Sequence, residues 1–220
     1  MDESGLAGLF PVEVAVCIAD RAMYRGELHA CEATAVAGAV AKRREEFTAG
    51  RGAARRALAL LGAPAVPLPR SERRSPAWPP DFVGSITHCP GFCAAVVATD
   101  GVAMSLGLDA ETSAPLDLEL APMICSPAER AAFARLSPPA SGDWLKLAFS
   151  AKEAFYKCAD PVLNEFLEFH DAHVRFRIAP ARDHGSFVVN LLRPGPAAPV
   201  IGRWAVDEER VYAGATWPRG

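Results

Sequence analysis

Three acidic residues carry the sharpest chemical signal in the chain: Asp109 and Glu111, within Gly107-Leu108-Asp109-Ala110-Glu111, and Glu153, within Phe149-Ser150-Ala151-Lys152-Glu153-Ala154-Phe155-Tyr156-Lys157. Side chains alternate along a strand, so Asp109 and Glu111 share a face, and carboxylates held close together repel unless a cation separates them. A hard divalent ion is the natural partner. Magnesium takes a few protein carboxylates and completes its shell with water and phosphate oxygens, with manganese as the alternative ion. Asp-x-Glu alone also describes a solvated turn after a strand, and Glu153 with Lys157 has the spacing of a surface ion pair worth a few tenths of a kcal/mol. That reading leaves Lys152 unexplained, because it sets a cation beside Glu153, about 100 degrees round the helix. Lysines flanking a metal-binding acid suit a polyphosphate. Gly84-Ser85-Ile86-Thr87-His88-Cys89 offers hydroxyls, freed backbone amides and an imidazole, a phosphate cradle that is no Walker loop. Arg43 and Arg51, about 80 degrees apart on a helix, and Arg70 add guanidinium forks suited to phosphate oxygens. Together these groups describe a site for a diphosphate ester.

Such residues need elements to hold them. Val12 to Ala19 reads as a strand and Glu32 to Leu61 as a helix, with Phe47, Ala54, Leu58 and Leu61 as its core stripe and Gly62 closing it. A proline-rich connector, Leu68 to Pro80, follows. Phe82 to Ile86 and Phe92 to Thr99 are predicted strands around a Thr87 to Gly91 turn. After the Asp100-Gly101 turn, Val102 to Ala110 is a third strand, with Ala103, Ser105, Gly107 and Asp109 on one face. Three successive strands predict a single antiparallel sheet. Ser126 as N-cap, Pro127 and Glu129 form a capping box opening a helix to about Leu136. A second helix spans Asp143 to Cys158, with Pro161 as its stop. Strands are expected at Val174 to Ile178, Phe187 to Leu192 and Val211 to Thr216. Helix then strands, twice, predicts an α+β chain of two halves, 1–101 and 102–220, without a residue-level repeat.

With 220 residues and 50% apolar content the chain can build its own core. A net charge of -3 argues against a nucleic-acid backbone as principal partner. The charge is unevenly spread: arginines crowd the stretch from Arg43 to Arg74, and acids the stretch from Asp100 to Glu129. The first thirty residues show neither a basic start nor an unbroken apolar run, so no signal peptide or membrane span is expected and the protein is placed in the cytoplasm. Cysteines 17, 31, 89, 93, 125 and 158 then read as reduced thiols. His88-Cys89 with Cys93 lacks a second pair at zinc spacing.

Four stretches, in order, resemble the 4'-phosphopantetheinyl transferase family, of the type that activates enterobactin, surfactin and polyketide synthases. They are Arg44-Glu45-Glu46-Phe47-Thr48-Ala49-Gly50-Arg51, Trp78-Pro79 with Gly84-Ser85-Ile86-Thr87-His88, Gly107 to Glu111, and Phe149 to Glu153. Leu167-Glu168-Phe169-His170-Asp171-Ala172 extends the likeness, which runs from Lys42 to Asp171. The resemblance implies a pseudo-dimer of two similar α+β halves with coenzyme A in the cleft between them, acting as a monomer. It implies a magnesium site at Asp109, Glu111 and Glu153. It assigns Lys152, Lys157, Ser85 or Thr87, and His88 to coenzyme A phosphates, and Arg43, Arg51 and Arg70 to the adenosine phosphates.

The implied reaction moves the phosphopantetheine arm of coenzyme A to a serine of an apo acyl or peptidyl carrier protein, as in a holo-acyl-carrier-protein synthase. The expected clients are carriers of polyketide, nonribosomal peptide or fatty acid synthases. A serine hydroxyl needs a base. Glu153 leads, with Lys157 assisting the leaving group, while Glu129 and a metal-bound water stay open as alternatives. Arg130, Arg135 and Lys146 are candidates to meet an acidic carrier, and Met123 and Ile124 are read as core. Acid-acid-lysine nucleases and a non-catalytic coenzyme A or carrier binder are the rival readings.

Overall fold

The computed structural model describes residues 1–193 and 200–219. Its helices are α1 (Glu3–Ala7), α2 (Ala30–Ala33), α3 (Ala41–Leu60), α4 (Ala121–Ile124), α5 (Pro127–Phe133) and α6 (Trp144–Leu163). Its strands are β1 (Ala15–Ile18), β2 (Phe82–Cys89), β3 (Phe92–Thr99), β4 (Ala103–Thr112), β5 (Ala172–Ile178), β6 (His184–Leu191), β7 (Val200–Val206) and β8 (Arg210–Pro218). They form two antiparallel sheets, β1-β3-β2 and β4-β8-β7-β6-β5. The fold is α+β in two unequal halves.

β3 is buried from Phe92 to Ala98 because both of its faces are covered. Ala95 and Val97 pack against Ala53, Ala54, Ala57 and Leu58 of α3, where small side chains at three- and four-residue spacing let helix and sheet approach closely. Ala94, Val96 and Ala98 face the other way, into a core shared with Leu106, Leu108 and Ala110 of β4. Leu6, Leu9 and Phe10, around α1, join that shared core. The chain's first residues therefore help bind the halves together, a role their irregular sequence did not advertise. In the second half, Leu147, Ala148, Ala151, Ala154, Phe155 and Cys158 form the α6 stripe against the five-stranded sheet.

The single three-stranded meander expected from the sequence is not formed. β4 leaves its predecessors and pairs with β8 instead. Its free edge meets β2 through side chains: Ser85 Oγ accepts from Leu108 N (3.0 Å) and Thr87 Oγ1 from Ala110 N (2.9 Å). Two hydroxyls thus satisfy amides that a neighbouring strand would otherwise pair. β2 also runs on through Thr87 and His88, leaving a tighter turn whose Gly91 takes a φ of +72°.

Other boundaries differ for local reasons. The segment from Glu32 does not enter α3 directly; α2 and a 3-10 turn precede the start at Ala41. α5 stops at Phe133. α6 continues through Pro161, which falls in its last turn, where few helical bonds remain to be lost, and ends at Asn164 in the left-handed region (φ 54°). β7 was not foreseen. Its Gly202 has no side chain to signal a strand, yet a Cβ there would lie 2.0 Å from the Phe187 ring.

Candidate active site

The contact that builds the site is the crossing of α6 over β4 at Gly107. A Cβ on Gly107 would stand 1.8 Å from the Ala154 carbonyl oxygen, so only glycine allows this approach. Ala154 follows Glu153, and Asp109 lies two residues beyond Gly107 on the same strand face. The crossing brings the acids from separate elements together. Lys157, one helical turn on from Glu153, donates to Leu108 O (3.0 Å) and to Asp109 Oδ1 (2.7 Å). Lys157 thus pairs with Asp109 across elements, whereas the i,i+4 surface pair with Glu153 is not formed among the described residues.

Asp109 is buried, and its second oxygen, Oδ2, has no hydrogen-bond partner among the described residues. Burial first, then the Asp109 charge, pushes the carboxyls of both Glu111 and Glu153 above the usual carboxylate range, with Lys157 opposing. An orphaned carboxylate oxygen coupled to two more acids is a donor set that a hard divalent cation would satisfy. The set is open: among the described residues, no three His, Cys, Asp or Glu side chains converge closely enough to hold an ion by themselves. Magnesium, which keeps positions for water and phosphate, is compatible with such a set.

Lys152 does not serve phosphate. It is wholly buried, and its Nζ donates to Ile124 O (2.9 Å), Glu129 Oε2 (3.0 Å) and Phe169 O (2.8 Å), which uses all three of its protons. The same bonds remove Glu129 from the list of bases. Its carboxylate is committed to Lys152, to Ser126 N (2.8 Å) and, through Oε1, to Val174 N (2.8 Å). The adjacency that suggested a second phosphate lysine is explained by helix geometry: Lys152 points into the core, and Glu153 lies round the helix from it. Ser85 and Thr87 are both buried, and their oxygens accept from β4 amides, which leaves each hydroxyl proton available. Ser85 still touches the cleft, and Thr87 does not.

Facing Glu153 and Lys157 across a cavity of about 930 Å³ is a cationic wall from the first half, while Asp109 and Glu111 do not themselves line that cavity. Arg43 Nη1 donates to His88 Nε2 (2.7 Å); a guanidinium can only donate, so that nitrogen is unprotonated and the ring is neutral. Burial, before the nearby charges, holds the His88 pKa below its usual value. Arg51 lies over the Phe47 ring at 4.4 Å and donates through Nε to Leu68 O (2.7 Å). Burial pushes its pKa down to about 10, with Arg55, Arg70 and Arg43 adding to the effect. Cations gathered this closely favour an anionic ligand. Arg70 stands exposed on the rim.

The cleft thus brings together Arg43, Arg51, Arg70, Ser85 and His88 from one half and Glu153 and Lys157 from the other. Residues that the sequence reading did not single out for this cleft include Glu46, Tyr156 and Asp160. Tyr156 lacked any signal beyond its position on the face of α6 that carries Glu153. Met123, expected in the core, is 56% exposed and lines the cleft, whereas Ile124 is buried as expected. Arg130 and Arg135 are exposed away from the cleft lining, and Lys146 is buried near Glu111.

Comparison with known proteins agrees with this division. Residues 31–98 match the 4'-phosphopantetheinyl transferase N-terminal domain, and residues 105–208 match the 4'-phosphopantetheinyl transferase superfamily. The chain is 40% identical over 182 residues to the 4'-phosphopantetheinyl transferase PptT of Mycobacterium tuberculosis, covering 80% of each chain. It is 41% identical over 184 residues to the 4'-phosphopantetheinyl transferase Svp of Streptomyces mobaraensis, covering 80% of this chain and 73% of Svp. Enterobactin synthase component D of Salmonella typhi is 42% identical over 118 residues, covering 53% of this chain and 48% of that protein.

Proposed function

The chain belongs to the 4'-phosphopantetheinyl transferase superfamily, and from that premise we propose how its cleft performs the transfer. The enzyme moves the phosphopantetheine arm of coenzyme A onto a serine of an apo carrier protein, releasing holo carrier and adenosine 3',5'-bisphosphate. In our reading Arg43, Arg51, Arg70 and His88 bind the adenosine phosphates, and Ser85 lies beside them at the seam of the halves. Asp109, Glu111 and Glu153 would hold magnesium, or manganese in its place, which when bound supplies charge neutralisation at the pyrophosphate. Lys157, fixed against Asp109, stabilises the departing bisphosphate. Glu153 takes the serine proton on a carboxylate oxygen. Its place on the cleft wall beside Lys157 supports that role; burial and the Asp109 charge raise its carboxyl in the metal-free site, and a bound cation would draw it down again.

The observation that carries this reading is the orphaned, buried Asp109 Oδ2, beside Lys157 and acting on Glu153, the acid that shares a cleft with the arginines. Glu153→Gln tests it. Removing one of three repelling acids should raise the apparent melting temperature without divalent metal, while turnover falls by about 10²-fold or more. A variant that keeps near-normal turnover at saturating magnesium removes Glu153 from the mechanism.

We further propose a holo-acyl-carrier-protein synthase type of activity on acyl or peptidyl carriers of polyketide, nonribosomal peptide or fatty acid synthases; the likeness to an enterobactin synthase component supports clients of this kind. One chain supplies both walls of the cleft, which favours a monomer. The division at 1–101 and 102–220 is supported by the change of sheet between β3 and β4. We place the enzyme in the cytoplasm on its free thiols, and among the described residues no helix is long and apolar enough to cross a membrane.

A further inference from the structure

The segment from Arg70 to Pro76, inside the proline-rich connector, is a tight hairpin. Arg70 bridges Pro76 in antiparallel fashion, Ser71 N donates to Ser75 O (2.8 Å) and Arg74 N to Ser71 O (2.9 Å). The Ser71 and Ser75 hydroxyls bond each other (2.8 Å), and Arg74 adopts a φ of 72°. Arg70, Arg73 and Arg74 all line the cleft. Arg73 differs from the other two, because its guanidinium is already spent on the opposite wall. Its Nε donates to Asp160 Oδ1 (2.7 Å) and its Nη1 to Asn164 Oδ1 (3.3 Å).

Both partners belong to the end of α6. Asp160 lies three residues beyond Lys157 and seven beyond Glu153, so the three share one helix face. Asn164 is the left-handed cap of that helix. The hairpin of the first half is therefore fastened to the helix carrying the second half's reactive residues. The fastening is reversible: the Arg73 and Asp160 side chains keep 35% and 26% of their surface exposed, and water competes for such a pair. Arg70 depends on the same hairpin, since its Nε donates to Arg74 O (3.4 Å).

We propose that Arg73 is a positioning residue, a latch that pins the 70–76 hairpin across the cleft to Asp160 and Asn164 and so presents Arg70 and Arg74 to the phosphates of coenzyme A. The inference rests on the reading of the cleft as the coenzyme A site.

The test varies coenzyme A at saturating carrier for Arg73→Gln, Asp160→Asn and the swapped pair Arg73→Asp with Asp160→Arg, with calorimetric titration of coenzyme A alongside. The latch predicts that each single variant raises KM and Kd for coenzyme A about two- to fivefold, the range expected from a partly exposed pair. Turnover at saturation and the carrier KM stay as in wild type, and the swap recovers most of the loss. Asp160→Asn decides the matter by sign. Charge alone, or Arg73 acting as a direct phosphate ligand, predicts that removing an acid beside an anionic ligand lowers KM; the latch predicts a rise. An unchanged or lower KM for Asp160→Asn overturns the proposal, as does a swap that fails to rescue. Should a charge variant misfold, Asn164→Gly, which keeps the left-handed cap and removes only the longer bond, must show a smaller rise in the same direction. A wild-type protein that neither binds coenzyme A nor loads a carrier overturns the reading of the cleft itself.

Discussion

At the scale of single residues, neighbouring side chains on α6 have opposite duties. Glu153 faces the cleft, where burial and Asp109 push its carboxyl up, while Lys152 is sealed into the core with every proton bonded. Lys152 holds the end of α4 and the Phe169 backbone, segments whose neighbours Met123 and His170 line the cleft, so its bonds shape a wall without touching ligand. Lys152→Met would strand the Glu129 carboxylate in the core, at a cost of about 3–5 kcal/mol in urea unfolding. Replacing Glu129 by Gln in the same chain should recover part of that loss, because no unpaired charge then stays buried. A Lys152→Met protein of wild-type stability contradicts the assignment. The residue types were legible from sequence. Which way each side chain points around the helix was not, because the helical face is fixed by the sheet it packs on.

At the scale of elements, the strands and helices that frame the site were largely readable, and β3 matched its predicted span because an apolar run between turn residues has few alternatives. The partner of β4 was not readable. Sequence order suggested β3, but the ladder is made with β8, at the far end of the chain, and the opposite edge is closed by Ser85 and Thr87. Local sequence shows those hydroxyls as possible phosphate contacts, but it does not show that their oxygens also accept from amides of β4, a strand twenty-three residues on. Gly107 is the element-scale pivot. Gly107→Ala would force β4 and α6 apart, costing about 1–3 kcal/mol by overpacking. It should lower turnover more than the stability loss accounts for, since the crossing sets Asp109 against Lys157. Unfolding and turnover measured on one preparation check this, and an alanine variant with wild-type turnover contradicts it.

At the scale of the whole molecule, two unequal halves meet over a shared apolar core and leave one cleft with acids on one wall and arginines on the other. The early run of arginines in the sequence foreshadowed the basic wall, whereas the acids of the other wall come from α6 and the segment after it, not from the acidic stretch between Asp100 and Glu129. The central claim is that the Asp109, Glu111 and Glu153 cluster serves phosphopantetheine transfer. Its most direct test is intact mass spectrometry of an apo carrier protein incubated with coenzyme A, magnesium and either the wild-type enzyme or Asp109→Ala. The account predicts that the carrier gains one phosphopantetheinyl group with wild type, and gains none with the variant or when magnesium is chelated. Loading that persists in Asp109→Ala, or that is indifferent to chelation, would contradict it.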